Sequence, residues 1–178
     1  MEVEGRQYIP KKGGFILASN HLSYLDPVAL GVACPRKLNF MARHDLFSNP
    51  LFSKFISSLG AFPIKRNSAD LSALKEAIKR LKDGKALVLF PEGRRKDRIS
   101  VITEPQLGIG FLVKKTRIPV VPALIKGTDK ALPKGARFII PKKISVHFGK
   151  QIQIKRDIPY GDIAQKIMED ILRLGKVY

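Results

Sequence analysis

Short apolar runs of β type recur along this chain, and stretches of helical pattern separate them. That alternation constrains the fold more than any other feature. Residues 14–20 (GFILASN), 38–42 (LNFMA), 61–66 (AFPIKR), 86–90 (ALVLF), 120–125 (VVPALI), 137–140 (RFII) and 144–149 (ISVHFG) read as strands. The clearest helix runs from Ala69 to Asp83, with Leu71, Leu74, Ile78 and Leu81 on one stripe and Lys75, Lys79, Arg80 and Lys82 off it. Ser68 or Asn67 is its expected cap and Gly84 its expected stop. A second helix is expected over about 106–116. A third, amphipathic one spans 162–174, with Ile163, Ile167, Ile171 and Leu174 on one face. Strands alternating with helices in this way predict an α/β fold: a single domain over residues 1–178, with a mixed, mostly parallel sheet flanked by helices. On such sheets, ligands bind in the loops at strand ends.

One helical pattern stands apart. In NPLFSKFISSLG, Leu51, Phe52, Phe55, Ile56 and Leu59 form a broad apolar face, Pro50 suits the first helical position, and Lys54 is the only charge. The ordinary expectation is a core helix; the alternative is a helix that meets a membrane or an acyl chain. No apolar run approaches the roughly 18 residues a spanning helix needs. The N-terminal stretch MEVEGRQYIPKKGG has no apolar core and is no signal peptide. One cysteine, Cys34, excludes an intrachain disulfide framework.

Charge narrows the partners. The chain carries 33 Lys and Arg against 15 Asp and Glu, a formal net charge of +18. Such an excess attracts polyanions: nucleic acid, anionic lipid headgroups or phosphorylated metabolites. Trp is absent, and the aromatic residues do not interleave with the basic runs as a base-stacking platform requires. No helix-turn-helix or zinc signature is present, and the three histidines and one cysteine lack metal-ligand spacing. A nucleic-acid-binding module therefore stands only as an alternative, as does a non-catalytic protein that binds anionic lipid.

Two stretches carry chemistry. In SNHLSYLDP, His21 precedes Asp26 by little more than one helical turn, so the chain can curl and bring the carboxylate to one ring nitrogen. A carboxylate on Nδ1 fixes the tautomer and leaves Nε2 to accept a proton. No G-x-S-x-G elbow accompanies the pair, Ser23 is poorly placed within the turn, and Cys34 has no matching signature. A base without a protein nucleophile activates a substrate hydroxyl directly. In LVLFPEGRRKD, Glu92 and Gly93 end a strand and Arg94, Arg95, Lys96 and Arg98 follow. Gly93 permits a tight turn with exposed N–H groups, a candidate source of oxyanion donors, and arginine forks match phosphate geometry. Lys65 and Arg66 form a further cation pair at a strand end.

Taken together, these stretches resemble the glycerolipid acyltransferases, the family of 1-acylglycerol-3-phosphate (lysophosphatidic acid) acyltransferase. NHLSYLD matches the family's Asn-His-x4-Asp motif, GAFPIKR its second motif, FPEGRRK its third and IPVVPALIKGT its fourth, with Pro122 on the motif's proline. The four occur in order across roughly residues 3–150. The resemblance implies that His21 is the general base and Asp26 its orienting partner. It implies a thioester donor, acyl-CoA or acyl carrier protein, and a lysophospholipid acceptor whose phosphate meets Arg66 and Arg95. Glu92 and Gly93 shape the acceptor site, and the acceptor's anion also accounts for Lys65. No cofactor and no nucleic acid are called for. Phospholipid biosynthesis at the cytoplasmic face of an anionic membrane, by a peripherally attached protein, is the expected setting. Arg94 and Lys96 depart from the threonine and serine usual in the third motif. Many members carry a membrane segment ahead of the first motif; only 20 residues precede His21 here, and none of them is expected to form one, so either this member is peripheral or the chain is a truncated form.

Overall fold

The structure is a computed structural model that describes residues 1–65, 70–93, 105–154 and 157–177. Among these residues lie seven strands: β1 (Glu2–Glu4), β2 (Phe15–Ser19), β3 (Leu38–Arg43), β4 (Ala61–Ile64), β5 (Ala86–Leu89), β6 (Val120–Lys126) and β7 (Ser145–Phe148). They form one sheet in the order β1-β7-β6-β2-β5-β3-β4. β6, β2, β5, β3 and β4 are mutually parallel, and β7 runs antiparallel to β6. The α/β architecture with a mixed, mostly parallel sheet is the one the residue pattern predicts.

The helices are α1 (Asp26–Ala33), α2 (Pro50–Ser58), α3 (Leu71–Lys82), α4 (Leu107–Thr116), α5 (Thr128–Ala131) and α6 (Tyr160–Val177). Strand residues alternate between two apolar layers, as the period of two requires. Ile16, Ala18, Leu87 and Leu124 point to one face, where α3, α4 and α6 bring Ala77, Leu81, Leu112, Val113, Ile163, Ile167 and Ile171. Phe15, Leu17, Val88, Val121 and Ile125 point to the other, under Ala29, Leu30 and Ala33 of α1. Covered on both faces, β2 buries all five of its residues, which is why it reads as a continuous apolar run.

Four expectations need correction. RFII is not a strand: residues 137–140 lie in an irregular, exposed stretch before β7. Its β-forming composition finds no neighbouring strand to pair with. Helix α3 begins at Leu71 and is capped by Asp70, whose Oδ1 accepts from the N–H groups of Ser72 and Ala73. The expected caps Asn67 and Ser68 lie outside the described residues. Leu71 is exposed; the fully buried stripe of α3 is Ala73, Ala77 and Leu81, because small residues let the helix sit close to the sheet. Finally, α2 is not a core helix. It buries none of its residues, and Leu51 is 83% exposed. It lies against edge strand β4 and the turn before it (residues 44–47).

One side chain extends the sheet past its last strand residue. Asn20, the first residue after β2, donates from Nδ2 to the Ile125 carbonyl at 2.9 Å and accepts from the Ile125 N–H at 2.8 Å. The side-chain amide thus imitates a backbone rung and fixes the exit of β2 against β6. At the opposite flank Asp70 accepts from the Lys65 N–H at 2.8 Å, tying the end of β4 to the start of α3. Hydrogen bonds from Ser72, Ala73 and Lys65 hold the Asp70 carboxyl well below its ordinary range.

Two outcomes follow from these locks. Asn20→Ala strands two buried backbone groups of Ile125, at a cost of about 1–3 kcal/mol each in the absence of a replacement partner. Asn20→Asp does no better, because a carboxylate cannot donate to the Ile125 carbonyl; urea unfolding should show both variants destabilised. For Asp70 the folded-state pKa is depressed, so its stabilisation is complete above the unfolded value of 3.8 and is lost as pH falls through the lower, folded one. Asp70→Asn keeps the cap through Oδ1 and cannot titrate. The melting-temperature advantage of wild type over this variant should be constant near neutral pH and shrink in acid.

Candidate active site

Five parallel strands put their C-terminal ends on one edge of the sheet, and every described candidate lies along that edge. His21 follows β2, Glu92 and Gly93 follow β5, and Lys65 follows β4. β2 and β5 are neighbours, yet the chain leaves them in opposite directions: α1 covers one face and α4 the other. Adjacent strands whose exits diverge leave a crevice between them, the usual ligand site of such sheets. His21 follows one of these two strands and Glu92 the other. Lys65 is three strands from His21, about 14 Å at ordinary strand spacing, and its side chain is exposed. Arg66, Arg94, Arg95 and Lys96 lie outside the described residues.

The turn after β2 is built around one oxygen. Oδ2 of Asp26 accepts from His21 Nδ1 at 2.8 Å, from the Leu22 N–H at 2.6 Å and from the Ser23 N–H at 2.8 Å. Asp26 is fully buried and is the first residue of α1, where the helix dipole favours a negative group. An ionised carboxylate only accepts, so Nδ1 carries the proton and the Nε2 lone pair is left for another partner. Nε2 has no hydrogen bond among the described residues. His21 as a whole is 9% exposed. Phe90, at the end of β5, stacks on the imidazole with centroids 4.1 Å apart and planes 17° from parallel. Three constraints therefore act on the ring: the carboxylate at Nδ1, the aromatic face against it, and the Asn20 lock one residue before it.

The other groups of the turn are committed to structure. Ser23 is buried; its hydroxyl donates to the Leu132 carbonyl at 3.0 Å and accepts from the Leu25 N–H at 3.3 Å. It has no freedom to act as a nucleophile. Cys34 lies at the far end of α1, and burial pushes its thiol above the ordinary pKa, the wrong direction for a reactive thiolate.

Across the crevice, the turn after β5 is tight. Gly93 has φ +67°, and a Cβ there would meet Gln106 Cγ at 2.6 Å, so a side chain is excluded on two grounds. Its N–H donates to the Phe90 carbonyl at 2.9 Å. The Gly93 N–H is thus occupied in closing the turn; the N–H groups of residues 94–104 lie outside the described residues. Glu92 is buried beside it. The motifs contain Asn20 and Phe90, yet sequence reasoning gives neither a task. Their partners, Ile125 and His21, are 105 and 69 positions away, and no local pattern announces them.

Comparison with known proteins gives the family. A family model described as "Acyltransferase" matches residues 1–126. The chain is 30% identical over 133 residues to the 1-acyl-sn-glycerol-3-phosphate acyltransferase of Bacillus subtilis, covering 71% of this chain and 63% of that protein. It is 29% identical over 171 residues to the enzyme of the same name from Streptococcus pneumoniae, covering 91% of this chain and 61% of that one. The chain thus spans about three-fifths of the length of these relatives. The crystal structure of the 1-acyl-sn-glycerophosphate (LPA) acyltransferase from Thermotoga maritima superposes with a TM-score of 0.80 at 28% identity, over 97% of this chain and 69% of that one. With the family model spanning the His21 turn and the crevice beside it, the chain belongs to the acyltransferase family.

Proposed function

We propose that this protein transfers a fatty acyl group from a thioester donor, acyl-CoA or acyl carrier protein, to the free glycerol hydroxyl of lysophosphatidic acid, as a step of phospholipid synthesis. The observation that carries the reading is the His21–Asp26 pair, held at the β2–β5 crevice with Nε2 left to accept a proton. In this mechanism Nε2 takes the proton of the acceptor hydroxyl as its oxygen attacks the thioester carbonyl. The tetrahedral intermediate collapses by breaking the C–S bond, and the Nε2 proton passes to the departing thiolate. Asp26 fixes the tautomer and stabilises the imidazolium that forms between the two transfers. No protein nucleophile is needed, which agrees with the structural commitment of Ser23 and Cys34.

The acceptor's phosphate is assigned to the cations that follow β4 and β5, Lys65, Arg66 and Arg95, with Glu92 and Gly93 shaping the acceptor side of the crevice. The parallel course of β4 and β5 supports this assignment, because it sends both chain exits to the edge that carries His21. The expected setting remains peripheral attachment to an anionic membrane on the cytoplasmic side, where the acceptor is found. No helix among the described residues is long and apolar enough to cross a membrane.

Thiol release from acyl-CoA and from acyl carrier protein, with and without lysophosphatidic acid, tests the reading. Turnover should require the acceptor, and the faster arm identifies the donor. General base catalysis is worth roughly 10²–10⁴-fold, so His21→Ala should lose at least about 100-fold in kcat with its circular dichroism unchanged. Asp26→Asn removes the charge that orients the ring and should cost at least about tenfold. Arg66→Gln and Arg95→Gln should mainly raise the KM for lysophosphatidic acid, because a contact to a phosphate remote from the reacting atoms is equal in ground and transition states. Acyl transfer that survives His21→Ala would refute the base.

A further inference from the structure

Residues 133–143, PKGARFIIPKK, are all exposed, and three consecutive large apolar side chains sit at their centre. Phe138 is 81% exposed, Ile139 64% and Ile140 48%. Water-facing apolar residues are ordinary when scattered; three in succession on one irregular loop are not. The loop is held at its base, where the Ile140 N–H donates to the Ala131 carbonyl at 2.8 Å, so its apolar residues are presented rather than folded inward. Charge surrounds them. From Lys130 to Arg156 the chain has eight lysines and arginines and no acidic residue. Lys134, Arg137, Lys142 and Lys143 flank the apolar triplet, and Lys143 also pairs with Glu2 at 2.8 Å.

The position of the loop matters as much as its composition. It leaves from α5, beyond the C-terminal end of β6, and returns at Ser145, which pairs with Lys126 at that same end. This is the edge that bears His21. The turn of His21 is joined to the residue just before the loop by the bond from Ser23 Oγ to the Leu132 carbonyl.

We infer that residues 133–143 are a docking loop for an anionic lipid bilayer: Phe138, Ile139 and Ile140 enter the headgroup–acyl boundary while the flanking cations contact the negative headgroups. An apolar centre ringed by cations fits that surface and suits neither a neutral membrane nor a purely polar polyanion. The inference deepens the proposed function by naming the surface that brings the site to its lipid acceptor. It rests on that reading only for its purpose, because its test does not use activity.

The chain contains no tryptophan, so Phe138→Trp introduces a single indole at the loop tip. On vesicles of phosphatidylglycerol and phosphatidylcholine its emission should shift to the blue and be quenched by brominated acyl chains; on pure phosphatidylcholine both effects should be far weaker. In co-sedimentation, the triple change Phe138→Ser, Ile139→Ser, Ile140→Ser should weaken binding to the anionic vesicles at least tenfold. Arg137→Gln with Lys142→Gln should weaken it about fivefold per cation removed. Because all these side chains are exposed, thermal unfolding should be unchanged. The counter-variant is Leu51→Ser with Phe55→Ser on the exposed face of α2. If that change abolishes binding while the loop triple leaves it intact, or if the indole emission of the Phe138→Trp variant does not respond to anionic vesicles, the inference is overturned. Docking by a wild-type protein that transfers no acyl group, or acyl transfer that survives His21→Ala, would instead refute the catalytic reading and leave the loop's assignment standing.

Discussion

A single carboxylate oxygen organises the turn on which the site depends. Oδ2 of Asp26 gathers one ring N–H and two backbone N–H groups within five residues of chain. Each of those donors sits at a helix start or in the turn before it, where no backbone acceptor is in reach. Satisfying them with one buried charge makes the turn, the helix start and the histidine orientation a single cooperative event. The burial of Asp26 is offset at Oδ2, which takes all three of these bonds. The same economy explains the task of Asn20 immediately upstream. The strand must end for the turn to begin, and a side-chain amide supplies one more rung without another strand residue.

What that turn faces is decided by topology rather than by any local feature. β5 comes after β3 and β4 in the chain yet is inserted between β2 and β3, and its exit departs to the face opposite α1. The crevice between β2 and β5 is the result. Phe90 stacks on the imidazole from the β5 side of it. Glu92 and Gly93 follow within three residues, so the two turns of the crevice meet through segments that are 69 positions apart in sequence.

The parts legible in the sequence are those where local pattern and tertiary environment coincide. β2, β5 and β6 are buried on both faces and read as apolar runs; α6 presents Ile163, Ile167 and Ile171 at helical spacing and buries all three. The His21–Asp26 contact is legible because both partners lie within one turn of chain. Helix α1 is not, because its inner face has one large apolar residue, Leu30, between Ala29 and Ala33, whose small side chains give a weak periodic signal. The three-residue β1 escapes notice because it depends on β7, more than 140 residues away. RFII and α2 mislead in the same direction. Both carry apolar residues that a sequence reader assigns to the interior, and both are exposed. Apolar character reports a preference for leaving water, and it does not say whether the destination lies inside the protein.

Under the proposed function, that distinction bears on how a water-sensitive reaction can be joined to a water-insoluble substrate. A thioester is open to hydrolysis, so the base should meet its acceptor in a crevice that limits water, yet a lysophospholipid must arrive from a lipid phase. A fold that buried every apolar residue would satisfy the first requirement and defeat the second. Here the apolar residues of the sheet and of α3, α4 and α6 close the interior, while Phe138, Ile139 and Ile140 are held outward at the edge that carries His21. The cations around them favour one orientation on a negative surface, and orientation matters because only one edge of the sheet bears the crevice. If the loop docks as inferred, part of the free energy of attachment would be spent on presenting the crevice to the lipid, so that under the proposed function a site without a spanning helix among its described residues could work on a membrane-borne hydroxyl.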